Sequence, residues 1–315
     1  MKGHSEKWLH TVTIDAGYEI TGSVEKVKDT AFCLVVRIPT NRGDLFYKEN
    51  GLSTRHEAVV SKHLDLQSQG KTARIVASNE TEGWFLMVDL KGKPLRKIKD
   101  KQLWRRAIQE YAELQISQIE EVESLLEMGV PDRRMPILKQ EIQHYLKELC
   151  GTGLTVEETK KVMALQPELL SMCDQLDSIL PASIEHGDLH SNNIRIVSDN
   201  IVFFDWGDAS ISHPFFSTRI FWHALNDLIK DESEWLEMVN EFRPFYLEPW
   251  TKFASITELD KALRISDELA CVQRALSWHL YLTPYCKNKA ETYDRPAQWL
   301  RLLLEHRSLV GKWNH

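Results

Sequence analysis

The stretch from Ile184 to Asn193 reads Ile-Glu-His-Gly-Asp-Leu-His-Ser-Asn-Asn, and residues 203–208 read Phe-Phe-Asp-Trp-Gly-Asp. Short apolar runs, typical of strands, flank the first stretch and lead into the second. Asp188 and Asn193 lie five residues apart in the loop between two such runs, so one turn of chain can place a carboxylate beside an amide oxygen. Asp205 follows directly on a strand-like run, where its carboxylate emerges at a sheet edge. Together, the two stretches predict a polar site built on short strands.

These three side chains supply the oxygen groups that phosphoryl transfer from a nucleotide requires. One carboxylate orients the acceptor hydroxyl and takes its proton, and oxygen ligands hold Mg²⁺ against the phosphates. We expect Asp188 to be the base, and Asn193 and Asp205 to be the metal ligands. The structural alternatives are a loop aspartate, a turn residue and a strand-end cap, respectively. His186 is predicted to be a buried brace for the loop, and His190 to be either a brace or a phosphate contact.

The pattern His-Gly-Asp-Leu-His-x-x-Asn at residues 186–193, with Asp-Trp-Gly at residues 205–207, resembles the aminoglycoside phosphotransferase and choline kinase-like family. These enzymes are distant relatives of the protein kinases. The resemblance implies an α+β, protein-kinase-like bilobal fold. Its small, mainly-β N-terminal lobe would cover residues 1–90 and bind the nucleotide. Its larger helical C-terminal lobe would cover residues 91–315, with the catalytic loop at 184–208 and the helices that bind the substrate.

The same resemblance implies a nucleotide site in the first lobe, with ATP and Mg²⁺ as cofactors. Lys48 ends the strand-like run Leu-Phe-Tyr-Lys and corresponds to the lysine that contacts the α- and β-phosphates. Glu57 corresponds to the helical glutamate that pairs with this lysine. The Val88 carbonyl and the Leu90 amide correspond to the groups that meet adenine. Without the resemblance, Lys48 is as easily a surface lysine and Glu57 only a capping glutamate.

The loop between the first two predicted strands departs from the family pattern. Residues 28–30 read Lys-Asp-Thr and include no glycine, whereas loops that cover phosphates often rely on glycine for close backbone approach. Thr30 is a candidate to supply a hydroxyl and an amide in its place. The departure supports an alternative function, a non-catalytic nucleotide-binding sensor on the same fold.

The order of the predicted elements agrees with two lobes. Turn material separates short β-rich runs in the first hundred residues, and Thr54 with Glu57 has the spacing of a capping box at a helix start. After Lys99, apolar residues recur at helical spacing, and Thr155 predicts another helix start. The predicted strands cover residues 20–27, 31–38, 44–47, 74–77 and 84–88, and then 184–185, 194–197 and 201–204.

Composition narrows the class of protein. The chain has 315 residues and a net charge of −7, without a long basic stretch, so no nucleic-acid partner is expected. Its five cysteines are dispersed, without a short paired spacing, which indicates reduced thiols in a cytoplasmic protein. Residues 1–10 lack the apolar core of a signal peptide, and no run approaches the roughly 20 apolar residues of a membrane span. No motif indicates an oligomeric state.

These observations predict an ATP-dependent small-molecule kinase, a phosphotransferase with an alcohol group as acceptor. A protein kinase is disfavoured because the helical pattern from Phe216 begins too soon after Asp205 for a peptide-binding segment. We expect the region after residue 208 to form the acceptor pocket. Carboxylates there, among them Asp267 and Glu268, slightly favour an amine-bearing acceptor such as an aminoglycoside-like or other natural-product antibiotic, ahead of an amino alcohol or sugar metabolite.

Overall fold

The computed structural model describes residues 3–68, 70–286 and 288–313. Strands dominate the first third of the chain, and helices dominate the rest. The first elements are α1 (Gly3–Asp15), β1 (Glu25–Asp29), β2 (Cys33–Ile38), β3 (Leu45–Asn50), α2 (Glu57–Gln67), β4 (Ile75–Asn79) and β5 (Trp84–Val88). The later elements are β6 (Lys93–Pro94), α3 (Lys101–Ser117), α4 (Val122–Glu127), α5 (Met135–Cys150), α6 (Val156–Ala164), α7 (Gln166–Asp177), β7 (Ser183–Glu185), β8 (Ile194–Val197), β9 (Asn200–Phe203), β10 (Ser210–Ser212), α8 (Thr218–Ala224), α9 (Trp235–Leu247), α10 (Ile256–Leu276) and α11 (Arg295–Trp313). The α+β class with a β-rich first lobe and a helical second lobe is confirmed.

The N-terminal sheet is antiparallel, with the strand order β1-β2-β3-β5-β4. Alternate residues of a strand point to opposite faces, and α1 covers one of these faces. The Trp8 ring of α1 lies 6.0 Å from the ring of Tyr47 and 5.8 Å from that of Trp84. The other face carries Val35 and Lys48 and lines a cleft towards the C-terminal lobe.

The helix α1 was not predicted from the sequence, which shows only a polar segment there. Of its thirteen residues, only Ser5, Leu9 and Thr13 are fully buried, and Trp8 and Val12 pack half-buried beside Leu9, so the apolar contact with the sheet is limited to residues 8–12. Helical periodicity cannot be recognised from so narrow a contact. The helix is held by packing on the sheet rather than by its own pattern.

Two predictions at the start of the N-terminal lobe are wrong in detail. The first strand begins at Glu25 rather than at residue 20 and extends to Asp29, so the turn after it comprises residues 30–32. Thr54 does not cap α2, because its hydroxyl donates to the Phe32 carbonyl at 3.1 Å and the Glu57 carboxylate is bonded to Lys48. The other predicted strands match β2 to β5 and β7 to β9 within three residues at each end.

The C-terminal lobe packs its helices around α10, which contacts α5, α7, α8, α9 and α11. Large buried side chains fill the core, among them Trp104, Tyr111, Trp222 and Trp250. The capping box predicted at Thr155 is present, since its hydroxyl and the Glu158 side chain bond reciprocally to the backbone. Two small antiparallel sheets, β6-β8-β9 and β7-β10, lie on the side that faces the N-terminal lobe and hold the polar loops.

The five cysteines are all buried and free of disulfides. Among the helices that the structure describes, none has the length and apolar content needed to cross a membrane.

Candidate active site

A close approach of backbone shapes the loop between β7 and β8. Gly187 has a φ of +75°, and a Cβ at this position would lie 2.2 Å from the Asp208 carbonyl oxygen. Only glycine adopts this conformation without strain and leaves room for the neighbouring chain. The glycine therefore lets the loop lie directly against the segment that follows Asp205.

His186 braces this loop, as predicted. It is fully buried, and burial lowers the pKa of its imidazole to about 4. Its Nδ1 accepts from the Asp188 amide at 3.3 Å, so Nε2 carries the hydrogen and donates to the Phe204 carbonyl at 3.1 Å. The ring also packs on Trp206, with 4.5 Å between the ring centroids. His186 thus ties the loop that carries Asp188 to the end of the strand that precedes Asp205.

Asp188 projects from the loop with 37% of its side chain exposed. Its Oδ2 lies 3.4 Å from His190 Nε2 and 3.4 Å from Asn193 Nδ2. Burial acts to raise the pKa of Asp188, but the hydrogen bond from His190 and the charge of Arg274 outweigh it and hold the pKa below its usual value. The carboxylate is therefore ionised at neutral pH and can accept a proton from a bound hydroxyl.

Asn193 is buried and completes the loop. Its Nδ2 donates to the Asp188 carbonyl at 2.9 Å, and its own carbonyl accepts from Phe204 N at 3.1 Å. The side-chain nitrogen thus bonds to the backbone of its own loop, as the alternative of a turn residue predicts, and the side-chain oxygen is the atom that the metal-ligand prediction requires. The bond to Phe204 places Asn193 beside the residue that precedes Asp205.

Lys48 links the two lobes at the bottom of the cleft. Its Nζ lies 2.7 Å from the Glu57 carboxylate and 2.5 Å from Asp205 Oδ1, and its side chain is 8% exposed. Burial acts to lower the pKa of Lys48, but the charges of Glu57 and Asp205 raise it above its usual value. Burial raises the pKa of Glu57 to about 7, whereas Lys48 outweighs burial at Asp205 and holds its pKa at about 2. The predicted pairing of Lys48 with Glu57 is present, and Asp205 joins it.

Two adjoining cavities form the cleft. The first, of about 320 Å³, has mainly apolar walls that include Val35, Phe46, Phe85 and Met87. The second, of about 250 Å³, is lined by Asp188, Asp208 and Arg274, with Phe32 and Trp278 at its walls. Lys28, Lys48, Glu57 and Asp205 line both cavities. The polar groups therefore lie where an apolar compartment meets a charged one.

The segment after β5 forms one wall of the first cavity. Leu90 lines it together with Asp89, whereas Val88 is not among its lining residues. The Val88 amide donates to the Arg74 carbonyl at 3.0 Å. Within the described part of the chain, the Leu90 amide donates no hydrogen bond, so it is available to a ligand.

The turn after β1 uses its polar groups internally. The Thr30 amide donates to the Cys33 carbonyl at 2.9 Å, and the Thr30 hydroxyl accepts from the amides of Phe32 and Cys33 at 3.2 Å each. The Thr30 amide and hydroxyl are thus bonded within the turn, although Thr30 also lines the second cavity, and its role at the phosphates stays a prediction.

Arg274 is a site residue that the sequence did not reveal. It lies near the end of α10, is 6% exposed, and its Nη2 is 3.2 Å from Asp208 Oδ2. Burial raises the pKa of Asp208 above its usual value, although the positive charge of Arg274 acts to lower it. An arginine inside a long helical pattern carries no local signal of a role in a distant loop, so only the fold identifies it.

The carboxylates that favoured an amine-bearing acceptor lie elsewhere. Asp267 is buried and bonds to Arg243 at 2.9 Å, and Glu268 bonds to Arg307 at 2.6 Å. Neither is among the residues that line the second cavity. The described residues also include no group of three or more His, Cys, Asp and Glu side chains placed to hold a metal ion. A metal bound by Asn193 and Asp205 would thus take its remaining coordination from oxygens of phosphate groups and water.

Comparison with known proteins identifies the family. The model of the phosphotransferase enzyme family matches residues 34–241, more than half of the chain, whereas no curated protein sequence matches. The ethanolamine kinase of Plasmodium vivax superposes with a TM-score of 0.65 at 14% identity, over 97% of this chain and 87% of that one. A choline/ethanolamine kinase family protein from Mesorhizobium loti gives 0.62 at 15% identity, over 96% and 95%. The amicoumacin kinase hAmiN, in complex with AMP-PNP and Ca²⁺, gives 0.61 at 13% identity, over 96% of each chain. These similarities confirm the kinase-like fold, and the chain belongs to the phosphotransferase enzyme family.

Proposed function

We propose that this protein is an ATP-dependent kinase that transfers the γ-phosphate to a hydroxyl group of a small molecule. The observation that carries the proposal is the convergence of Asp188, Asn193 and the Lys48–Asp205 pair on the junction between an apolar and a charged cavity. Phosphoryl transfer depends mostly on positioning and on charge, and these are the groups that such catalysis uses. The nucleotide-binding lobe is assigned to residues 1–90 and the acceptor-binding lobe to residues 91–315.

The first cavity is assigned to the nucleotide base. Its apolar walls suit a flat ring, and the unbonded Leu90 amide provides one donor at its edge. The Val88 carbonyl is assigned as the matching acceptor. The triphosphate then extends towards Lys48, which Glu57 holds in place. The amicoumacin kinase hAmiN and a spectinomycin phosphotransferase of similar fold form complexes with AMP-PNP and ADP, respectively, which supports a nucleotide as the ligand of this chain.

Asn193 and Asp205 are assigned to Mg²⁺. One carboxylate and one amide oxygen fit this ion, which commonly takes one or two protein carboxylates and completes its shell with phosphate and water. The low pKa of Asp205 keeps that ligand ionised at any physiological pH. When bound, the metal neutralises charge on the phosphates. The contribution of the chain is to hold both oxygens beside Lys48, through the bond between Phe204 and Asn193.

Asp188 is assigned as the base. Its ionised carboxylate accepts the hydroxyl proton of the acceptor, and His190 with Asn193 fixes its orientation. The second cavity receives the acceptor, and three of its walls, Arg274, Trp278 and Leu282, come from the region after residue 208. Candidate acceptors are aminoglycoside-like and other natural-product antibiotics, amino alcohols and sugar metabolites.

The test is phosphate transfer from ATP in the presence of Mg²⁺ to a panel of aminoglycosides, macrolides, amino alcohols and sugars. We expect transfer to one chemical class and none without metal. If only peptides or proteins were phosphorylated, the small-molecule assignment would be wrong. Nucleotide binding without transfer to any member of a broad metabolite library would instead favour the sensor alternative.

A further inference from the structure

A bulge in β1 turns a second lysine towards the cleft. The pairing of β1 with β2 shifts between Lys26 and Lys28, so Val27 is the extra residue and Lys28 lies opposite Val35. A bulge of this kind re-aims the side chains that follow it. Val35 is also the cross-strand partner of Lys48 on β3. Lys28, Val35 and Lys48 therefore form one row across three strands, on the face of the sheet that lines the cleft.

The register fixes the spacing of the two lysines. Neighbouring strands lie roughly 4.8 Å apart, so residues two strands apart in a row are separated by roughly 10 Å. Each lysine adds a flexible four-carbon stem that carries a point charge. Two ammonium groups at this spacing can contact a polyphosphate chain between them, at different phosphate groups.

No partner among the described residues holds Lys28. Within the part of the chain that the structure describes, its ammonium forms no hydrogen bond or ion pair. Its strand neighbour Lys26, in contrast, bonds to Asp29 at 3.0 Å. The charge of Lys28 nevertheless reaches the site, because it contributes to the low pKa of Asp205. Lys28 also lines both cavities, which places it at their junction.

The turn after β1 explains why a side chain is needed here. Phosphate-covering loops donate backbone amides, and glycine lets them approach closely. In this protein the amides of Thr30, Phe32 and Cys33 are bonded within the turn. Three amides of the turn are therefore engaged, and the Lys28 ammonium, which lines both cavities, is a donor that the turn leaves free.

We propose that Lys28 binds the phosphate tail of the nucleotide together with Lys48, in place of a glycine-rich loop. The proposal rests on the proposed function, because it assumes a nucleotide in the cleft. It assigns the glycine-free turn to a different mode of phosphate binding rather than to a loss of binding.

The experiment compares Lys28→Gln with Lys26→Gln, a matched change two residues earlier on the same strand. Calorimetry would measure the Kd of ATP, ADP and adenosine in the presence of Mg²⁺. We expect Lys28→Gln to raise the Kd of ATP about tenfold or more, the effect typical of a lost charge-assisted contact. The Kd of adenosine should not change, Lys26→Gln should bind ATP like the wild type, and Lys28→Arg should restore most of the affinity.

Two outcomes would overturn the proposal, and they differ in what they say of the enzyme. If Lys28→Gln binds ATP as tightly as Lys26→Gln while Lys48→Ala binds it weakly, Lys28 has no part in binding and the proposed function stands. If the wild-type protein binds no nucleotide, the proposed function fails and the role of Lys28 fails with it.

Discussion

The Asp188 carboxylate lies beside His190, is ionised and opens onto the second cavity. A base must be ionised and must face the acceptor, and Asp188 meets both conditions. We expect Asp188→Asn to fold and to bind ATP nearly as the wild type does, because the amide preserves the shape of the side chain. Its kcat should fall by several orders of magnitude, since an amide cannot accept the proton. Steady-state kinetics on the best acceptor of the panel would measure this. A variant that keeps more than about a tenth of the wild-type rate would show that Asp188 is not the base, because such groups contribute about 10²-fold or more.

Asp205 and Asn193 should differ in their effect on nucleotide binding. Asp205→Ala removes the only carboxylate assigned to the metal, so Mg²⁺-dependent binding of ATP should be lost. Asn193→Ala removes a neutral ligand and should weaken binding less, while also loosening the Asp188 loop that its side chain braces. Calorimetric titration of both variants with ATP, with and without Mg²⁺, is the measurement. An unchanged dependence on Mg²⁺ in Asp205→Ala would contradict the metal assignment.

Single residues were predictable where a motif fixed their spacing. The resemblance to the family implies that Lys48 and Glu57 pair, and their side chains are in contact. Arg274 was not expected, because its contact with Asp208 joins residues 66 positions apart, and no spacing within α10 signals it. A sequence motif identifies the functional side chains of a local loop. It does not identify the distant helix whose side chain neutralises the charge of that loop.

At the scale of elements, α10 contributes a buried charge to the site. Arg274 and Asp208 form an ion pair with both side chains largely removed from water. Arg274→Met keeps the bulk of the side chain but leaves the Asp208 carboxylate without its cation. We expect the free energy of unfolding to fall by about 3–5 kcal/mol, the usual cost of breaking a buried pair. Urea denaturation would measure the change, and the double variant Arg274→Met with Asp208→Asn should recover part of it. A double variant no more stable than Arg274→Met would show that the loss arises from packing instead.

The elements that the sequence predicted and those that it missed differ in how much surface they bury. The strands from β2 to β5 were recognised because their β-branched and aromatic residues cluster between turns. Helix α1 was missed because its apolar contact is limited to Trp8, Leu9 and Val12, too few residues to show a helical period. The turn after β1 was misplaced by two residues, because the strand continues through Lys28 and Asp29, whose polar side chains resemble turn material. The bulge that points Lys28 at the cleft leaves no trace in the sequence.

Across the whole molecule, buried histidines make stability depend on pH. Burial lowers the pKa of His213 to about 3 and that of His56, His186 and His306 to about 4. In the unfolded chain these groups bind a proton below about pH 6.5. The folded protein does not bind it until the pH is much lower, so stability that is complete above pH 6.5 is lost as the pH falls towards 4. Glu57 acts in the opposite direction between pH 4.5 and 7, because its raised pKa lets the folded state retain a proton.

The variant His213→Asn isolates one of these contributions, since the other groups are common to both proteins. Asparagine can still accept from the Phe215 amide, as His213 Nδ1 does at 3.3 Å. Between pH 6.5 and 4 we expect the unfolding free energy of the wild type to fall more steeply than that of the variant. The difference should be about 1.4 kcal/mol per pH unit. Denaturant unfolding at several pH values would show it, and parallel profiles would mean that His213 titrates normally in the folded state.

The contact between Lys48 and Asp205 joins groups 157 positions apart in the chain, one from each lobe. It acts as a tether, since the lobes cannot swing apart without separating these charges. Under the proposed function, a magnesium–nucleotide complex would use the same two side chains, the lysine for phosphate and the aspartate for metal. Opening of the cleft and binding of the nucleotide therefore both break or replace the Lys48–Asp205 contact. The measured affinity for the nucleotide will include the free energy needed to break the Lys48–Asp205 contact. A weaker contact will therefore change both the separation of the lobes and the affinity for the nucleotide.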